Sequence, residues 1–260
     1  MEEIAGKIID NAEGAITEIY RDGLKPTVQP LGEVLGLLPR TLRVALNGWE
    51  KWLVNKEESL RLTAEAVREK ANAIPEGKQV EPEPYVAIPA IQQLCYCQNS
   101  AELRELYANL LVSSMNADTK WQVHPSFVDV VKQLNPDEAK FMRSLPSDSN
   151  LLFPLVDVEC AVGVNTWRYM MSNFTTTRLE LLEHPENICS YIDNLVRLSL
   201  IEIPQRRIAD DKVYKQVEQH PIIQGLKLKT GNPHSFIKCT PKSFKLTNYG
   251  ADFVNVVCKE

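Results

Sequence analysis

"PENICSYIDNLVRLSLIEIP", residues 185–204, decides how the C-terminal half of the chain is read. Ile188, Tyr191, Ile192, Leu195 and Leu198 recur in steps of three and four, the spacing of one helix face. Leu200 to Pro204 then alternate as a strand does. A helix that runs directly into a strand is the centre of a winged-helix plan, where the helix feeds a two-stranded hairpin. The flanking residues extend it. Asn135 caps an earlier helix, with Pro136 at its first position and Asp137 and Glu138 set against the helix dipole. Leu151–Val158 reads as a short strand, followed by an irregular segment up to residue 185. Beyond residue 204 comes a polar, basic excursion from Gln205 to Lys245. "SFKLTNYGADFVNVV" (243–257) then reads as a strand, a turn at Asn248–Gly250 and a final helix.

The N-terminal part is helical throughout. Ile4, Ile8, Ile9, Ala12, Ala15, Ile16 and Ile19 make an amphipathic helix over residues 2–22, ended by Gly23 and Pro26. "LGEVLGLLPRTLRVALNGWEKWLV" (31–54) is the most apolar stretch of the chain. From Leu42 through Leu46, Trp49, Leu53, Leu60, Ala64, Val67 and Ala71 to Ile74 its stripe keeps helical steps with one wider interval, so one long amphipathic helix is predicted. Pro39 suits its first turn. Arg40, Arg43, Glu50 and Lys51 interrupt any membrane span. Two uses of the stripe stay open. One is core packing in a helical hairpin or coiled-coil dimer. The other is membrane or partner contact through Leu37, Leu38, Leu42, Trp49, Trp52 and Leu53, with Trp52 off the main stripe.

Residues 75–89, with four prolines and three acids, read as an extended linker. Helix resumes at Ile91, Leu94 and Cys95. Asn99 and Glu102 resemble a capping box for a helix through Leu103, Leu106, Tyr107, Leu110 and Leu111. His124-Pro125 opens another, with Phe127, Val128, Val131 and Leu134 on one face. The expected fold is therefore mainly α, in three regions. An amphipathic helical region covers 1–80, a proline-rich linker and helical segment 81–134, and a winged-helix-like α+β domain 135–260.

Composition sets limits on function. The 260 residues carry a net charge of −5, which makes no global case for nucleic acid or anionic lipid. Residues 1–150 hold 16 basic and 22 acidic side chains, and 151–260 hold 13 and 12. Six scattered cysteines and the lack of a signal-peptide pattern lead us to expect reduced thiols in a cytoplasmic protein, peripheral at a membrane surface if the apolar stripe contacts lipid. Cys95-x-Cys97 has no second ligand pair and reads as two buried structural cysteines. His124 and His184 precede prolines at helix entries, while His220 and His234 stand in the basic excursion. No nucleophile, dinucleotide or phosphate-loop motif accompanies them, so we expect no enzyme, no cofactor and no metal.

The excursion is the sharpest local signal. Arg206, Arg207, Lys212, Lys215, Lys227, Lys229, Lys238, Lys242 and Lys245 face only Asp210, Asp211 and Glu218. At a wing tip such residues could hold phosphate, and Arg206, Arg207, Lys212, Lys215, Lys227 and Lys229 are the nucleic-acid candidates of a DNA-binding regulator. The simpler use is a solvated segment that keeps an edge strand soluble. The helix of 185–198, with Glu186, Asp193 and only Arg197, is a poor DNA face, so protein contact fits better.

"LGLLPRTLRVALNGWEKWLVNKE", "VEPEPYVAIPAIQQLCYCQNSAELRELYANLLVSSMN" and "VHPSFVDVVKQLNPDEAKFMRSL" together resemble the abortive-infection alpha family of bacteria and prophages, as do "LVRLSLIEI" and "LTNYGADFV". Ser199 stands where that family commonly has glycine. The resemblance covers residue 30 onward and implies defence against bacteriophage, with no catalytic site to carry over. The expected partners are a phage component or an infection-associated membrane, a second defence protein encoded nearby, and a second copy of the chain. Nucleic acid ranks behind these. The resulting expectation is anti-phage defence by binding rather than catalysis. The alternatives are a DNA-binding regulator and an enzyme whose site is assembled from residues not linked in sequence.

Overall fold

The computed structural model describes residues 66–94, 96–97, 100–163, 166–229 and 236–259. The helix expected over 2–22 lies outside the described residues, as do residues 31–65 with most of the long helix expected from Leu42 to Ile74, and with them Leu37, Leu38, Leu42, Trp49, Trp52 and Leu53. The chain divides into two compact units, one ending at Val128 and one beginning at Asp129.

In the first unit, residues 66–72 are helical and bury Val67 and Ala71. The proline-rich segment is non-helical from residue 75 to 83, and departs from the extended linker expected only from Pro84 onward. Pro84–Leu94 is a helix, α1, which carries Pro89 inside it and buries Val86, Ala87, Ala90, Ile91 and Leu94. Pro84 opens the helix, where its missing N–H costs nothing. The five buried side chains, each Leu or Ile contributing about 1.5–3 kcal/mol, outweigh the hydrogen bond that Pro89 cannot make. Helix α2, Ala101–Ser114, packs on α1 and buries Leu106, Tyr107, Leu110 and Leu111. Its cap is Ser100, one residue later than expected: Ser100 Oγ accepts from Leu103 N–H at 3.2 Å. The segment before α1 is fastened to the end of α2, since Val80 N–H donates to Met115 O and Ala117 N–H to Lys78 O.

Phe127–Lys132 forms helix α3. In the second unit α4, Pro136–Ser144, starts on the Asn135 cap expected from sequence, and the structure completes it as a capping box with Glu138. Asn135 Oδ1 accepts from Glu138 N–H, and Glu138 Oε2 accepts from Asn135 N–H, each at 2.8 Å.

The C-terminal unit corrects the winged-helix expectation. Its frame is a four-stranded antiparallel sheet, curled as a half-barrel, built from β1 (Phe153–Gly163), β2 (Thr166–Phe174), β3 (Ile201–Glu202) and β4 (Ile237–Leu246). The order is β2-β1-β4-β3. Strand β1 runs past Val158 to Gly163 and returns as β2, so the segment expected to be irregular begins as a long hairpin. The main ladder joins β1 to β4, from Phe153↔Phe244 to Cys160↔Ile237. The pair that a wing would require, β3 with β4, spans only Ile201↔Leu246 and Glu202↔Lys245. Nor is the excursion a wing loop. It folds into α6 (Asp211–Glu218) and α7 (Pro221–Lys229) before becoming β4. With so much sheet, mainly α no longer describes the fold.

Helix α5, Ile188–Arg197, buries the stripe read from sequence at Ile188, Tyr191, Ile192 and Leu195. It ends in a Schellman turn: Leu200 N–H reaches Leu195 O at 3.0 Å and Ser199 N–H reaches Val196 O at 2.9 Å. Ser199 holds the left-handed position, with φ 59°. A Cβ there is strained, so Ser199→Gly is expected to stabilise the protein by about 0.5–1 kcal/mol. A raised urea midpoint at unchanged slope would show it, and a lowered midpoint would contradict it. Phe244 of β4 stacks on Phe153 (5.0 Å) and meets Phe141 of α4 (6.0 Å), which seats α4 on one face of the sheet. Val156, Val158, Cys160 and Phe174 belong to the other face, closed by α6 and by His220, whose ring lies 5.8 Å from Phe174.

Candidate interaction surface

Antiparallel partners project to the same side of a sheet, so the register defines what each face carries. Phe153 and Phe244, then Leu155 and Lys242, lie at the covered end of one face. Asp157 follows, then the row Tyr169–Glu159–Lys238, then Trp167–Ala161. Phe236 extends this last row, because its carbonyl accepts from Ala161 N–H at 3.0 Å. The face thus changes along its length from packed aromatic core to exposed aromatic surface.

A polar network marks the change. Lys242 Nζ donates to both oxygens of Asp157, at 3.1 and 3.2 Å, and to Asn173 Oδ1 at 2.6 Å. Asn173 N–H donates to Asp157, and its side-chain amide donates to Asp193 of α5 at 2.8 Å. Asn173 holds φ 59°, a region that Asn tolerates better than most side chains. These contacts tie three strands and α5 together where helix cover stops.

Beyond the network Trp167, Tyr169 and Phe236 are 45%, 65% and 73% exposed. Large rings in such positions are the informative exception among surface residues. Strand β2 is the sheet edge and is exposed from Thr166 to Tyr169 on both faces. Lys238 Nζ stands 5.8 Å from the Trp167 ring centroid and 3.5 Å from Glu159 Oε2.

The basic candidates fall differently from the wing-tip expectation. Arg206, Arg207, Lys212 and Lys215 are exposed, in the loop before α6 and on α6 itself, opposite its buried Tyr214 and Val217. Arg207 pairs with Asp211 at 3.0 Å, and Asp210 caps α6 by accepting from Lys212 N–H. Lys227 and Lys229 lie at the end of α7. The three lysines of β4 each meet a carboxylate from outside the excursion: Lys238 meets Glu159, Lys242 meets Asp157, and Lys245 meets Glu202 at 3.1 Å. Half the positive excess seen in sequence is thereby balanced within the sheet. Lys245 and Glu202 also line a polar groove of about 330 Å³ with Asn150, Leu152, Pro204 and Arg206. On α5, Asp193 is held by Asn173, and Arg197 by Asn194 and Gln133.

The described histidines and Cys97 have local partners. His124 Nδ1 meets Ser126 Oγ at 2.6 Å and accepts from Ser126 N–H, a helix-entry role. His184 lies beside Glu186 at 3.4 Å, and His220 Nδ1 accepts from Ile222 N–H. His234 and Cys95 are outside the described residues. Burial pushes the thiols of Cys97 and Cys189 up to about 11 and that of Cys258 up to about 12, so all three stay protonated at neutral pH. Cys97 is half-buried and points at Gln93 O. Among the described residues no group of three His, Cys, Asp or Glu converges as a metal site, and no helix is long and apolar enough to cross a membrane.

Neither the curated proteins nor the solved structures include a match to this chain. Residues 55–257 match the abortive infection alpha family, a span that takes in the whole sheet and helices α1 to α7. The apolar stretch 31–54 falls before it, so the resemblance to the family rests on the later motifs. By that match the chain belongs to the abortive infection alpha family and shares its abortive-infection, phage-defence role.

Proposed function

We propose that this protein acts in phage defence by binding a protein partner, rather than by catalysis, through the exposed end of the β1–β2–β4 face. The observation that carries this is the set of three exposed rings, Trp167, Tyr169 and Phe236, on adjacent rows of one sheet face beside the edge strand β2 of the described sheet. Aromatic side chains dominate binding energy at protein interfaces, and an edge strand offers unpaired backbone groups to a partner. Nucleic acid suits the face less well. Glu159 sits in its middle row and Asp157 below, and Lys238 already faces a carboxylate. Phosphate would meet negative charge there.

The test is a phage-challenge plating assay with the Trp167→Ala/Tyr169→Ala/Phe236→Ala variant, together with co-purification of bound protein from infected cells. These rings are exposed, so the variant should keep its unfolding midpoint and lose protection and the co-purified partner together. Full protection by a folded variant would overturn the proposal. Flotation with liposomes or retention on DNA that vanishes in the same variant would replace the protein partner with lipid or nucleic acid.

A further inference from the structure

We infer that the aromatic end of the sheet takes a cationic side chain, a lysine or arginine of the partner protein, in the place that Lys238 holds in the free protein. The inference rests on the binding role proposed for that face and names the chemistry the face selects.

Glu159 is the starting point. It lies in the central strand, 15% exposed, between Tyr169 on β2 and Lys238 on β4. A carboxylate that is largely withdrawn from water needs a cation or several donors. Lys238 supplies the cation, but loosely. Its Nζ is 3.5 Å from Glu159, longer than a good charge-assisted hydrogen bond, and 5.8 Å from the Trp167 centroid, near the outer limit of about 6 Å for a cation–π contact. Its own side chain is 58% exposed. An ammonium so placed loses little by swinging into water, where it is fully hydrated.

The site left behind is specific. The Trp167 ring offers its negative face, Tyr169 and Phe236 border it, and Ala161 leaves the centre of the row shallow. Glu159 adds a formal charge at the floor. A guanidinium can stack on the indole and donate to the carboxylate at once, which the Lys238 ammonium does only at long range. The chain's own lysine thus occupies the place of the partner's cation.

N-acetyl-arginine amide, titrated into the full-chain protein, tests this directly. The readout is the Trp167 indole N–H resonance, assigned by its loss in Trp167→Leu. Lys238→Ala should bind the probe saturably and about fivefold more tightly than the wild type, because the internal competitor is gone. Adding Glu159→Gln to Lys238→Ala should weaken binding about tenfold, and adding Tyr169→Leu should do the same, because that ring borders the cation. N-acetyl-glutamine amide, uncharged, should leave the resonance unmoved. Equal affinity of wild type and Lys238→Ala, or indifference to Glu159→Gln, would overturn the inference. If the arginine probe fails while the triple aromatic variant loses phage protection, the cation site falls and the binding face stands. Arginine binding with full protection in that variant would do the reverse.

Discussion

Asp137→Asn is expected to destabilise the C-terminal unit by about 3 kcal/mol at neutral pH. Asp137 is 4% exposed and uses both oxygens. Oδ1 accepts from Glu183 N–H at 2.9 Å, and Oδ2 accepts from His184 N–H at 2.8 Å and from the Tyr191 hydroxyl at 3.2 Å. This carboxylate therefore joins α4 to the entry and the first turns of α5. An asparagine keeps one oxygen and sets an N–H₂ against a buried N–H donor, leaving both unsatisfied. Burial pushes the Asp137 carboxyl up, but the two backbone donors, Tyr191 and nearby Lys140 together outweigh it, and the group is held below its ordinary 3.8. A carboxyl with a depressed folded-state pKa stabilises the fold fully above the unfolded value, and the contribution is lost as pH falls through the folded value. The gap between wild type and Asp137→Asn should thus be widest at neutral pH and close below about pH 4. Glu138 next to it behaves oppositely: burial raises it despite Asn135, Asn194 and Arg197, so its contribution declines as pH rises. Urea unfolding at pH 7 and at pH 3.5 checks the sign. A gap that widens on acidification would show that Asp137 is protonated in the folded protein.

Gly250→Ala should be at least as costly, about 3 kcal/mol or more. Helix α8, Asn248–Phe253, is capped by Thr247, whose Oγ1 accepts from Gly250 N–H at 2.8 Å. A Cβ on Gly250 would stand 1.8 Å from Leu200 O and 2.7 Å from Leu200 C, both backbone atoms. That carbonyl cannot yield easily, because it accepts from Thr247 N–H at 3.1 Å and follows the Schellman turn of α5. The close approach seats the last helix on the helix-to-strand junction, and a methyl group there must separate them. Gly225 provides the contrast. It lies in α7, and a Cβ added there would meet nothing within 4 Å, so Gly225→Ala should stabilise by about 0.5–1 kcal/mol through helix propensity alone. Thermal unfolding of both variants separates the cases. Equal midpoints would mean that the α8 contact yields without cost.

The elements legible in the sequence are those whose signals are local. The Asn135 cap, the α5 stripe of Ile188, Tyr191, Ile192 and Leu195, and the strand ending at Leu246 depend on residues a turn or two apart. The family, too, is legible from motifs in the chain. Strand β2 is not, because TWRYMMSNF is exposed on both faces for much of its length and so lacks the alternation that marks a half-buried strand. Helix α1 is obscured by its prolines, although Val86, Ala90, Ile91 and Leu94 carry helical spacing. In the excursion the density of charge masks Tyr214 and Val217, the buried face of α6.

The candidate site shows the same division. Trp167, Tyr169 and Phe236 carry no motif and lie almost seventy residues apart at their extremes. Only the register of β4 against β1, and of β1 against β2, sets Phe236, Ala161 and Trp167 in one row and Lys238 beside Glu159. By itself the sequence determined the helices whose local stripe is not obscured, α2, α4 and α5, and membership of a phage-defence family, since each is written in neighbouring side chains. The tertiary structure decided that the C-terminal unit is a curled sheet and not a winged helix, that the lysines of β4 face carboxylates, and that three rings share one exposed face. Those are outcomes of strand pairing, where a shift of one residue would turn every side chain to the opposite face.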